Sequence, residues 1–363
     1  MEFSGLITKF RVNRPLTDQE RAHRLKQQQR LNVEPHYQLS VIQLNSTYLE
    51  SVDKWFGWKG TLTAIASIIF LIFVGTFGAI SIIWLAKAAG YGTPPPDAGF
   101  WLANGLGMAA VAAFAGMFSV WLIRKESFAF THYPIRFNRA TRMVHVFRTD
   151  GSILSAPWDE VFFTLGHMVQ WNEWEIRGHI LAPDKTTVRE SFALSYLGSL
   201  SPSDAEPGRK HFSPDDFVHA HWEFIRRYME DGPAAVAGQV AFCMPIATRR
   251  ESVRVGTERV FANMAGAPFL IFWLMVPFCA LVSLFRILAM RTSKVPRWSG
   301  EIEAACAIEK DDQYAIIGNA AGNSIPLFPD AAHAADTGSM APDLKLEVGS
   351  CQQRCRVLSC CFS

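Results

Sequence analysis

The residues able to do chemistry are scattered along the chain. His219 and His221 have the composition of a metal-binding pair. On a helix, however, residues two apart point about 200° away from each other and cannot share one ion. His221 falls on the apolar face of its predicted helix and reads as a hydrogen-bonded core residue. Glu190 beside Ser191, near Arg177-Gly178-His179, offers a base and a nucleophile. Neighbours on a strand face opposite sides, so that pair is not expected to cooperate. An enzymatic reading would need His179, Glu190 or His221 brought into one cleft. There is no Gly-rich phosphate loop, no Gly-x-Ser-x-Gly elbow and no paired-cysteine zinc pattern. No catalytic, cofactor-binding or metal-binding residue is therefore expected.

Charge offers a different kind of site. Arg136, Arg139, Arg142, Arg148, Arg226 and Arg227 are expected either to form a basic face toward lipid headgroups or a protein partner, or to be a solvated surface beside a membrane. A net charge of +2 argues against a nucleic-acid partner. Cys243, Cys279 and Cys306 stand singly and read as buried, inert thiols. The tail carries Cys351, Cys355, Cys360 and Cys361, and Cys360 to Ser363 has the form of a prenylation box, read as accidental in a bacterial-looking chain.

These groups must be positioned by elements hung from residues 60–123. No charged residue lies between Lys59 and Lys87, and none between Asp97 and Arg124. Each interval exceeds the roughly 20 residues a helix needs to cross a bilayer core. Trp58 and Trp84 bracket the first run, Trp101 and Trp121 the second, as interfacial anchors would. A membrane hairpin with a short, Pro-stiffened loop at Pro94, Pro95 and Pro96 follows. Residues 1–59 hold nine Lys or Arg, and Arg124 and Lys125 follow the second helix. The positive-inside bias thus places the N-terminus and residues 124–259 in the cytoplasm. Residues 260–290 form a third apolar stretch. A full crossing and an interfacial or re-entrant helix both remain open, because a crossing would carry Arg286, Arg291, Lys294 and Arg297 outside.

The remainder reads as an α+β module. Thr17-Asp18-Gln19-Glu20 has the form of a capping box opening a basic helix to about Leu31. Residues 130–197 show six short β-branched or aromatic runs: Ile135–Phe137, Met143–Phe147, Ile153–Trp158, Val161–Leu165, Trp171–Leu181 and Thr186–Leu194. A loop over residues 198–212 leads to an amphipathic helix capped at Ser213 and ended by Gly232-Pro233. Strands followed by one helix is the order of a pleckstrin-homology-like domain. Residues 291–363 read as a weakly ordered tail.

The segment from about 125 to 298 resembles an uncharacterised proteobacterial membrane-protein family, a domain of unknown function often encoded near type VI secretion genes. The resemblance is carried by Arg136-Phe137-Asn138-Arg139, by Val146-Phe147-Arg148 with Asp150-Gly151, and by Trp158-Asp159-Glu160-Val161-Phe162-Phe163. Ile176-Arg177-Gly178-His179, Arg189 to Leu194, Trp222 to Met229 and Thr292-Ser293-Lys294 add to it. It implies a bacterial inner-membrane protein without catalytic activity, with an accessory or immunity role. A membrane-inserting effector and a membrane-tethered enzyme acting on lipid are the rival expectations.

Overall fold

A computed structural model describes residues 5–38, 40–92, 97–168, 173–194, 214–240, 243–262 and 269–317. The loop prolines Pro94 to Pro96, the 198–212 loop, the Ser213 cap and the cysteine tail lie outside the described residues.

The chain opens with β1 (Arg14–Pro15), α1 (Asp18–Ala22) and β2 (Arg24–Leu25), then β3 (Val41–Leu44) and β4 (Tyr48–Ser51). The capping box at α1 forms as expected, Thr17 and Glu20 satisfying each other's backbone N–H groups. The helix stops at Ala22, not at about Leu31. Arg24 and Leu25 pair with Thr164 and Phe163, and buried Gln27 donates to the carbonyls of Trp158 and Val161. A polar helix with few apolar residues has little to bury, and these long-range bonds prevail over it.

The apolar hairpin follows. Helix α2 (Thr61–Ile69) continues through a π-turn at Phe70–Val74 into α3 (Gly75–Ala88), and α4 (Ala98–Glu126) returns. The hairpin leaves the sheet after Ser51 and rejoins it at Ile135, and those two residues face each other in register. It is an excursion between adjacent strands.

Strands β5 (Ile135–Asn138), β6 (Met143–Phe147) and β7 (Ile153–Pro157) extend that sheet. β8 (Phe162–Met168), β9 (Glu173–Leu181) and β10 (Thr187–Ala193) belong to a second one. The runs read from sequence are thus strands, divided between two antiparallel sheets of order β11 (Ile316–Ile317), β3, β4, β5, β6, β7 and β1-β10-β9-β8-β2. The N-terminal segment supplies both edges of the second sheet.

Helix α5 (Pro214–Glu230) seals the space beside the sheets. Trp158 stacks on Trp222 with ring centres 5.7 Å apart, and Phe163 tilts against both. Residues 31–38 run along the far side of α5, bonded to Ala220, Glu223 and Arg227. That cover buries α5 nearly all round.

Helix α6 (Val253–Ala262) leads to α7 (Phe269–Thr292), then α8 (Gly300–Ala305) and β11 (Ile316–Ile317). Three helical stretches, Thr61–Ala88, Ala98–Glu126 and Leu270–Thr292, are long and apolar enough to cross a membrane. Their outer faces leave Leu71, Ile82, Phe114, Leu270 and Leu274 about 69–80% exposed. The third stretch does not carry its charges away from Lys59. Arg250 bonds the carbonyl of Ser293, and Glu251 meets Arg286, so the chain leaves and returns at one end.

Candidate functional site

One group of polar side chains lies where the apolar helices meet the six-stranded sheet. Glu126, last residue of α4, accepts the N–H of Gly60 at 2.8 Å, the N–H of Thr63 at 2.6 Å and the Thr63 hydroxyl at 2.6 Å. The two N–H groups are orphan donors at the start of α2, so the carboxylate both caps the helix and meets its positive end. Lys59 Nζ donates to the carbonyls of Glu126 and Phe130 at 2.7 and 2.6 Å. Arg286 of α7 donates to the carbonyls of Phe56 and Lys59 and grips Glu251 with its other nitrogens. Gly60 has φ of +96°, and a Cβ there would lie 2.5 Å from the Arg286 backbone. Glycine is required for the helices to come so close.

Beside this joint is a small cavity lined by Asp53, Lys59, Glu126, His132 and Tyr133 among others. Asp53 accepts the N–H groups of Trp55 and Tyr133, while burial pushes its carboxyl up. Burial pulls the Lys59 ammonium down to about 8, with Glu126 and Asp53 opposing. His132 is buried, its Nε2 without a hydrogen bond, and burial with the nearby Lys59 charge lowers it to about 3. The site can hold helices rigidly to the sheet; its imidazole stays neutral at physiological pH.

A second arrangement lies where α1 packs on the five-stranded sheet. Ser191 Oγ lies 2.7 Å from His179 Nδ1, and His179 Nε2 lies 3.2 Å from Glu20 Oε1. A hydroxyl, an imidazole and a carboxylate in line are the components of an activated nucleophile. Here Arg14 clamps both oxygens of Glu20 at 2.6 and 2.8 Å and the Thr17 N–H adds a third bond. Those contacts hold the Glu20 carboxyl below the usual range against burial, which raises it. His145 and Ser155 make the same cross-strand contact at 2.7 Å. Glu190, the neighbour of Ser191, pairs with Arg148. His221 is buried and far below its ordinary value, at about 4, chiefly through burial. Among the described residues no cluster of three or more His, Cys, Asp or Glu could hold a metal.

The basic face expected from sequence is dispersed. Arg136 is buried, bonded to Glu50 and sandwiched between the Tyr48 and Trp298 rings at 4.3 and 4.8 Å. Arg226 is buried against Glu223 and Asp231, and Arg227 shares Glu223. Arg142 bridges Asp159 and Glu230, and Arg148 binds Glu190. Arg139 alone of these is exposed. Arg136 and Arg227 lie inward because Trp298 covers the first and residues 31–38 bond the second. The acids Glu50 and Glu223 were not singled out from sequence; a carboxylate inside an aromatic-rich segment was the available signal. Of the tryptophans, Trp84 and Trp101 meet edge to face at 5.7 Å, Trp121 is exposed, and Trp58 is half-buried at the joint.

Fold and joint define an α+β protein with two antiparallel sheets and three apolar helices of bilayer length, rooted at one polar knot. The chain belongs to the family of unknown function designated DUF6708, whose model matches residues 112–310. No curated protein and no solved structure matches it.

Proposed function

We propose that this is an integral inner-membrane protein, with its N-terminus and sheets on the cytoplasmic side, that acts as a binding platform for a protein partner without catalysing a reaction. The observation that carries the reading is the knot of Lys59, Glu126 and Arg286. It locks three bilayer-length helices to the sheets, so that the module stands on the membrane as one body. The layout favours a pleckstrin-homology-like module: β4 to β7 in one sheet, β8 to β10 in the other, then α5, with the hairpin inserted between the first two strands. Such a fold is used for binding, an argument by analogy. The company kept by the resembled family points to an accessory or immunity role in type VI secretion.

The test is cross-linking in intact cells followed by detergent pull-down of the full chain and mass spectrometry. Recovery of one neighbouring gene product, with harmless expression that rescues cells from that product, supports the platform and its immunity role. Growth arrest and depolarisation on expression alone would instead identify a membrane-inserting effector. Release by alkaline carbonate would overturn membrane residence altogether.

A second reading, a membrane-tethered enzyme acting on lipid, rests on the Ser191–His179–Glu20 line. Labelling of the full chain by a fluorophosphonate probe, lost in Ser191→Ala, would favour it. The Arg14 clamp on Glu20 and the matching His145–Ser155 pair weigh toward a structural role.

A further inference from the structure

Several cations of the helix ends are left facing outward. Arg124 and Lys125 end α4, and Arg291 lies in the last turn of α7, with Lys294 just beyond. The two ends are stitched together: Lys294 N–H donates to the carbonyl of Ala129, and Thr131 N–H to that of Lys294. Arg250 joins them through the Ser293 carbonyl at 3.1 Å. Arg124, Arg250, Arg291 and Lys294 are exposed, and Lys125 Nζ lies 5.6 Å from the centre of the Trp121 ring. The acids of the same stretch are turned inward, Glu126 onto α2 and Glu251 onto Arg286. Asp150, the exposed acid of a nearby turn, is held by Ser152 and faces Arg148 and Lys9. Phe128, 64% exposed with φ of +64°, projects from the same junction.

We infer that this collar binds the headgroups of anionic phospholipids. The inference rests on membrane residence and goes beyond the protein-binding platform. Guanidinium groups match phosphate in bidentate geometry, and an ammonium adds a point charge. An exposed aromatic ring beside them suits the boundary between headgroup and acyl chain. Arg136, Arg226 and Arg227 are spent in internal ion pairs, whereas these stand at the level where the apolar helices end.

The test uses the full chain purified in a neutral detergent. Thermal unfolding is followed while phosphatidylglycerol, phosphatidylcholine, glycerol phosphate or inorganic phosphate is added. Phosphatidylglycerol is expected to raise the midpoint and phosphatidylcholine to leave it nearly unchanged. Each charge removed in Arg124→Gln, Arg291→Gln and Lys294→Gln is expected to weaken the phosphatidylglycerol response by about fivefold. The response should also fall at high salt. The midpoint in phosphatidylcholine alone checks that each variant folds, and a variant that fails this check is replaced by the Arg→Lys form, which keeps the charge and should keep the response. An equal rise with both lipids, an undiminished rise in the folded triple variant, or the same rise with inorganic phosphate overturns the collar. Alkaline extraction of the chain from membranes would fail the residence reading separately.

Discussion

Arg286 and Glu251 face each other through two hydrogen bonds, Nε to Oε2 at 2.7 Å and Nη2 to Oε1 at 3.0 Å, both side chains sealed from solvent. The pair joins the approach to α6 with the last turns of α7, and the same guanidinium reaches back to the start of the hairpin. Breaking a buried pair leaves an uncompensated charge, at a cost of about 3–5 kcal/mol. Glu251→Gln should therefore lower the unfolding midpoint of the detergent-purified chain sharply. Removing both charges, with Glu251→Leu and Arg286→Met, should cost less than the sum of the single changes. Full additivity would show that the two residues do not act as a unit.

Gly60 is a sterner test of the same joint. With its positive φ and the Arg286 backbone 2.5 Å from a prospective Cβ, Gly60→Ala adds strain and collision together. A loss of about 3 kcal/mol or more is expected, whereas Gly107→Ala, where a Cβ meets nothing within 4 Å, should be nearly neutral. Comparable losses at both positions would argue against the close helix approach.

The buried histidines give a pH dependence whose sign is fixed. His132 is lowered from 6.5 to about 3 in the folded state. Between those values the unfolded chain binds the proton and the folded chain does not. Its contribution is complete above 6.5 and is lost as pH falls toward 3, at about 1.4 kcal/mol per pH unit. Asp53 and Glu50, raised by burial, act in the opposite direction above the ordinary carboxylate value. His132→Gln should isolate the histidine part. Between pH 6.5 and 5.0 the unaltered protein is expected to lose about 2 kcal/mol more stability than the variant. Parallel unfolding curves would contradict a neutral, buried imidazole.

Trp298 closes the far side of the six-stranded sheet. Its Nε1 donates to Glu50 at 3.0 Å, and its ring covers Arg136. Trp298→Ala should cost about 2–3 kcal/mol and speed limited proteolysis around α8, since Arg136 and Glu50 then lose a wall. An unchanged digestion pattern would mean the 298–306 segment is held by other contacts.

Local pattern carried a large part of this architecture. β-branched and aromatic runs marked the strands between residues 135 and 194, to the exact ends in Met143–Phe147. Length and absence of charge marked the apolar helices. Those signals are written within a dozen or two neighbouring residues, because side-chain periodicity and helix length are local properties. The same locality explains the errors at Arg136 and Arg226. A cation looks identical in sequence whether its partner is water or a carboxylate brought from another element.

Chain closure decided the rest. Glu20 reaches His179, Lys54 reaches Glu175, and Gly60 reaches Arg286 across long stretches of sequence. Arg24 and Leu25 became an edge strand because β8 offered unpaired backbone groups that a short polar helix could not outbid. The sequence by itself determined which stretches are apolar, which alternate and where they begin. Only the tertiary structure decided which charges are consumed inside and which are left at the helix ends, since that depends on groups far apart in the chain meeting in space.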